Sequence, residues 1–357
     1  MFKFLYISLA LFGAFFANAV RAESVLFLNP GYTDETFWVS YSQFMQAAAQ
    51  DLGIDLQILY SQRQPELTLA QARLALLGPN RPDYLMFVNE QYVAPQILRL
   101  AQNSGVKLFM VNAALTPDQQ ALMGKRSDRI GSLVPNDEEG GYLMMKELIR
   151  LHPPVKKGEP IEVLAFSGLK ITPSAQLREQ GMQRALAEHP QVRLRQLVYS
   201  GWTQQRAYEQ AKQLFARYPQ VSLVWSANDE MAFGAMRAYA ESGKVAGKDA
   251  LFSAVNTSRT ALQAVVDGRL SALVGGHFTL GGWALVELHD YEQGVDLDHY
   301  GGRDRQLPLL QLIDKSQARQ ILAMGDSPGY NVNFRKLSAK GRPVSYRYPF
   351  TLQTLMR

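Results

Sequence analysis

The chain has 357 residues, 47% of them hydrophobic, and no cysteine, so no disulfide framework holds it and its stability comes from burial alone. Its 37 Lys and Arg stand against 32 Asp and Glu, a formal charge of +5 that is too small, and too evenly mixed with acidic residues, to point to a nucleic-acid partner. A chain of this length makes two cores of ordinary domain size.

The first stretch, MFKFLYISLALFGAFFANAVRAES, carries one early cation at Lys3, an apolar run through Phe16, and small residues at Val20 and Ala22. This is the pattern of a secretory signal peptide cleaved after Ala22. The apolar run is too short for a membrane span, and nothing comparable follows. Without Lys3 and Arg21 the charge falls to 35 − 32 = +3. Export without thiols suits a large α/β protein of a bacterial periplasm.

Apolar runs of strand length then alternate with helical periodicity. SVLFLNPG at 24–31 is followed by FWVSYSQFMQAAAQDLG, where Trp38, Tyr41, Phe44, Met45 and Ala48 share one helix face and Gly53 stops it. IDLQILYS, PELTLAQARLALLG, PDYLMFVN, APQILRLAQNSG and KLFMVN continue the alternation, which predicts a parallel sheet covered by helices on both faces. The pattern restarts at IEVLAFSG, 161–168, and runs through LSALVGG, 270–276, predicting a second lobe of the same plan. Between them VPNDEEGGYLMMKELIR marks a crossover, and the tail from 304 is too sparse for a third domain.

Ligands of open parallel sheets sit beyond the carboxyl ends of the strands. At those positions the sequence places Asn89, Asn112, Asn136, Asn228 and Asn256, with Phe37, Trp38 and Trp202 nearby. One such Asn is an ordinary turn residue; five at equivalent places suggest amides converging on a polar, uncharged ligand. The aromatic faces suit sugar rings, although one of Phe37 and Trp38 is expected to be core. Reagents for catalysis are missing: the five histidines show no metal spacing, there is no phosphate loop or nucleophile elbow, and Glu138 and Glu139 point apart on a helix start. The glycines at 275, 276, 281 and 282 read as a flexible turn that leaves room for backbone approach. Neither an enzyme nor a cofactor or metal is expected.

WSANDEMAFGAMRAYAESGK at 225–244, with GWTQQRAYEQAKQLFARYP upstream, TDETFW near the start, SAQLREQGM and VVDGRLSALV, resembles the periplasmic sugar-binding proteins related to ribose-binding protein. The resemblance implies the type 1 periplasmic binding fold, two doubly wound parallel-sheet lobes joined by a multi-strand hinge. It implies an N-terminal lobe of 23–135 and 276–305 and a C-terminal lobe of 136–275 and 306–357. It also implies that Phe37, Trp38 and Trp202 stack on the ligand, that Asn89 and Asn228 bond it, and that Asp229 caps a helix. Where relatives place carboxylates this chain has Asn112 and Asn256; where they place the clamping Arg it has Gln176; and their late Gln falls at Gly275, Gly276 and His277. The expected pocket is therefore less charged and roomier at the glycines, taking a sugar, sugar derivative or polyol. The partner expected for the monomer is a membrane ABC permease or, alternatively, a membrane sensor of the kinase or cyclase type that reads a sugar or an autoinducer-2-like ligand.

Overall fold

The computed structural model describes residues 22–124, 126, 128–156, 158–325 and 327–356. The expected signal peptide, apart from Ala22, lies outside them. Strands β1 (Ser24–Asn29), β2 (Asp55–Tyr60), β3 (Tyr84–Phe87), β4 (Lys107–Val111) and β5 (Arg129–Pro135) alternate with helices α1 (Thr36–Leu52), α2 (Pro65–Leu77), α3 (Ala94–Ala101) and α4 (Pro117–Met123). The second unit alternates α5 (Asp137–Leu151), β6 (Ile161–Ser167), α6 (Pro173–Ala187), β7 (Val192–Tyr199), α7 (Gln204–Arg217), β8 (Leu223–Ser226), α8 (Asp229–Glu241), β9 (Leu251–Val255), α9 (Arg259–Asp267) and β10 (Ala272–Gly275). Then come α10 (Leu280–Glu292), β11 (Asp304–Leu307), β12 (Gln311–Leu312) and α11 (Lys315–Ala323).

The two sheets repeat one plan. Their orders are β11-β5-β4-β3-β1-β2 and β12-β10-β9-β8-β6-β7, parallel throughout except for the antiparallel β12. Central strands such as Tyr84–Phe87 and Leu223–Ser226 are apolar and covered on both faces, while edge strand β2 alternates exposed and half-buried positions. Helix α1 ends where the sequence predicts, at Gly53 in the left-handed conformation with its N–H on Ala49 O.

Three segments cross between the lobes: Pro135 to Asp137, Gly275 to Leu280, and Leu307 to Gln311. Asn136 ties the first to the third, accepting from Leu310 N at 2.9 Å and donating to Leu310 O at 3.2 Å. The glycines expected to form a flexible turn are packed instead. Gly281 and Gly282 lie inside α10, and a Cβ on either would come within 2.6 Å of Tyr41, Met45 or Phe44 on α1. Gly275 and Gly276 sit against Asn256 O and Leu309 O, so they let the crossings touch and add no room to the cleft.

The division expected for the tail also changes. After α11, Phe334 N donates to Asp51 Oδ2 at 2.7 Å, and buried Asp290 of α10 accepts from Ser338 Oγ, from Ala339 N at 2.6 Å and from Tyr348 Oη at 2.7 Å. Phe350 stacks on Trp283, with ring centres 5.3 Å apart. The stretch 334–350 is thus anchored on the first lobe, and Gln353 then returns to Gln311 at 2.8 Å.

Candidate functional site: the cleft between the lobes

The facing carboxyl ends of the two sheets line one narrow cavity between the lobes. Each lobe brings a tryptophan to it on a glycine seat. Gly31 follows β1, and a Cβ there would lie 2.1 Å from Trp38 Cδ1; Gly168 follows β6, and a Cβ there would lie 2.1 Å from Trp202 Cε2. Only glycine lets the two indoles lie this close to the strand ends. Trp38 meets Phe37 edge-on at 4.9 Å, and Phe37 stacks on His277 at 4.5 Å. Phe37, Trp38, Asn112, Trp202, Asn228, Asn256 and His277 all line the cavity.

The backbone is left-handed at Asn112, Trp202 and Asn256, with φ of 66°, 69° and 119°. Such conformations in residues other than glycine cost of order 1–3 kcal/mol and gather at binding sites. Four buried polar atoms of the lining have no partner: Trp38 Nε1, Trp202 Nε1, Asn112 Oδ1 and His277 Nδ1. Unmet groups of this kind cost about 1–3 kcal/mol each, and a polar ligand relieves that cost.

The helix cap expected of Asp229 is made by Asn228, which also lines the cavity, whereas Asp229 is not among the lining residues. Asn228 caps α8, accepting from Met231 N at 2.9 Å, and its amide donates to Trp202 O at 3.0 Å, fixing the loop that carries the indole. Asp229 accepts from Asn256 Nδ2 at 2.7 Å and Ser258 Oγ at 2.5 Å. Two other expectations are corrected. Asn89 does not line the cavity; its amide donates to Ala114 O at 2.7 Å and Gln119 Oε1 at 2.8 Å, and its oxygen accepts from Ala94 N. Gln176 stands outside the lining as well, accepting from Tyr92 Oη at 2.6 Å. With Thr36 Oγ1 on Glu230 Oε1 at 3.3 Å, that bond latches one lobe to the other.

Nor is the pocket uncharged. Arg63, Glu35, Glu90, Ser174 and Arg178 line it too. Helices α5 and α6 touch backbone to backbone, since a Cβ on Gly141 would lie 2.0 Å from Arg178 O and one on Gly181 1.8 Å from Glu138 O. This contact brings buried Arg178 to Asp137 at 2.7 Å, with its Nη1 on Ala227 O at 2.7 Å. On the first lobe Arg63 pairs with Glu35 and, at 2.8 Å, with Glu90. The guanidinium groups of Arg63 and Arg178 lie 5.7 and 5.8 Å from the Trp202 ring centre. Burial raises the Glu90 and Asp137 carboxyls above their ordinary values, even though Arg63 and Arg178 pull the other way.

Burial, and then Arg178, hold His277 well below its ordinary 6.5. Arg178 Nη2 faces His277 Nε2 at 3.3 Å, so Nε2 accepts and the neutral ring carries its proton on the unpartnered Nδ1. Below pH 6.5 the unfolded chain binds a proton here that the folded chain refuses. The stability this group contributes above that pH is therefore lost as pH falls, by at most about 1.4 kcal/mol per unit. Replacing His277 by Gln should flatten unfolding stability between pH 6.5 and about 5 relative to wild type; equal slopes would contradict a buried neutral ring.

A two-lobed α/β chain, crossed three times and enclosing a polar, aromatic cavity, is built to bind a solute in its cleft. A family model described as periplasmic binding protein domain matches residues 25–293, and the chain belongs to that family. The ribose import binding protein of Salmonella typhimurium is 25% identical over 266 residues, which cover 72% of this chain and 80% of that one. The crystal structure of a periplasmic sugar-binding protein from Pseudomonas fluorescens is 62% identical, covers 94% of this chain and 99% of its own, and superposes with a TM-score of 0.89. A galactofuranose binding protein, 19% identical over 86% of this chain and 100% of its own, has the same fold at a TM-score of 0.73. The protein is a binding protein and not an enzyme.

Proposed function

We propose that the cleft closes around a sugar, sugar derivative or polyol in the periplasm and that the closed form delivers it to a membrane ABC permease. The observation that carries the reading is the set of unpartnered polar atoms on Trp38, Trp202, Asn112 and His277 around one cavity, with aromatic rings supplied by both lobes. Ring faces take the C–H side of a sugar, and the polar atoms take its hydroxyls. Contacts from both lobes favour the closed state, which a rotation about the three crossings reaches. The names of the Salmonella and Pseudomonas relatives, one for ribose import and one for sugar binding, support the same class of ligand. In this reading the leader is removed near Ala22 and the mature chain acts as a monomer. Tryptophan fluorescence titrated with neutral sugars, sugar derivatives and polyols tests it: a saturable change with one of them is expected, and silence with all of them would overturn it.

A further inference from the structure

The tail joins the lobes again, over the surface and apart from the three crossings that link the sheets. It lies beyond residues 25–293, the part of the chain that the family model matches. Helix α11 belongs to the second lobe: it follows β12 of the second sheet, it packs on α9, and its Ala318 and Ile321 are buried. Past the C-cap at Met324 the chain has reached the first lobe by Gly329, where an added Cβ would lie 3.0 Å from Ala47 Cβ of α1. Phe334 is then buried, its N–H on Asp51 Oδ2 and its ring edge-on to Phe44 at 5.2 Å.

Both ends are held firmly. On the first lobe Asp290 takes donors from Ser338, Ala339 and Tyr348, so pulling the tail away would strand a carboxylate in the interior. On the second, Asp314 and Gln317 form a capping box at the start of α11, and Gln320 Nε2 donates to Met356 O at 3.2 Å, so the tail returns to the helix from which it left. The link between the two anchorages is short and exposed. Its Ser327 and Pro328 border a groove whose walls come from opposite lobes, Thr36 and Gln43 of α1 on one side, Thr257 and Thr260 at the start of α9 on the other. Thr36 is also half of the contact to Glu230 across the cleft, so the groove runs along the flank of the cleft and widens under the tail when the lobes part. Drawn straight, the chain from Met324 to Gly329 reaches about 17 Å at most.

We propose that the tail is a strap that bridges the flank of the cleft and limits how far the two lobes open. The inference rests on the closing cleft proposed above and adds a restraint to it. Three crossings alone leave the open angle to the crossings themselves. A tether fixed outside them removes the widest conformations of the empty protein, so less of the ligand's binding free energy goes into closure and the affinity rises.

Slackening the strap in the full mature chain tests this. An insertion of about six Gly and Ser residues after Gly325, where an added Cβ would meet nothing within 4 Å, gives the link about 20 Å of extra reach and leaves both anchorages and the cavity untouched. The same insertion after Gly341, which also stands in open space, serves as the matched chain, because the neighbouring anchors Ala339 and Tyr348 are both on the first lobe. Small-angle scattering of the ligand-free proteins should give a larger radius of gyration for the Gly325 insertion than for the Gly341 insertion or the wild type. A protease site placed after Gly325 repeats the test in a chain that has already folded, since cutting it should release the same expansion. Radii that stay equal in both forms of the experiment would overturn the strap. The sugar identified by titration should bind the Gly325 insertion about fivefold or more weakly than the Gly341 insertion; equal affinities would overturn the claim that the restraint favours binding. Silence with every sugar would overturn the closing cleft, and the ligand-free radii would still decide whether the tail restrains the lobes.

Discussion

Trp202→Ala should weaken sugar binding about a hundredfold, a loss of about 2.7 kcal/mol, while costing less folding stability than the about 3–5 kcal/mol of truncating a fully enclosed Trp. The asymmetry follows from where the ring sits. Its indole borders an existing cavity, its Nε1 has no partner, and one of its edges meets a glycine chosen for closeness. Truncation therefore enlarges empty space more than it breaks packing, but it removes the only aromatic ring that the second lobe contributes to the lining. Isothermal titration beside thermal unfolding checks both numbers. A variant that binds normally but unfolds several kilocalories more easily would show the ring to be core.

Arg178→Met should do the reverse, costing about 3–5 kcal/mol of stability. Arg178 is 4% exposed and Asp137 is 1% exposed, so removing the cation strands a buried carboxylate whose proton affinity burial already raises. His277 loses its Nε2 partner at the same time, and Ala227 O loses its donor. Pairing the change with Asp137→Asn removes the stranded charge, so the double variant should be clearly more stable than Arg178→Met alone. Urea unfolding of the single and double variants decides it; a double variant that loses the sum of both single effects would mean that the pair does not act as one unit.

Much of this architecture was legible because its signals are local. Strand-length apolar runs ending in Asn or Ser, each followed by a helix-period segment, give β1 to β4 and β6 to β10 nearly as they stand. The short edge pieces Asp304–Leu307 and Gln311–Leu312 were not legible, being four and two residues long with polar side chains, and they pair only because the hinge brings them beside β5 and β10. The return of the tail to the first lobe is hidden from the sequence for the same reason. Phe334 finds its place through Asp51, 283 residues away, which no periodicity reports.

The site divides in the same way. Trp38, Trp202 and the strand-end amides follow from position along the sheet, so the sequence names them. Arg63, Glu35 and Glu90 meet across 27 and 28 residues through loops, and Arg178 reaches the cavity only because glycines draw α5 and α6 together. Amides at Asn112 and Asn256 suggest a neutral pocket, yet Glu35, Arg63, Glu90 and Arg178 bring charge to the lining from elsewhere in the chain. Between Asn228 and Asp229 the cap could fall on either side chain, and one residue of helix register settled it.

Closure of the two walls on a bound sugar is tested most directly at the Thr36–Glu230 latch, where side chains from opposite lobes meet at 3.3 Å. The chain has no cysteine, so Thr36→Cys with Glu230→Cys gives one addressable pair, which a short bifunctional maleimide can bridge. Bridging the empty protein should block later uptake of the sugar identified by titration, and bridging the loaded protein should trap that sugar through gel filtration. Uptake and release that proceed unchanged after bridging would contradict binding in this cleft.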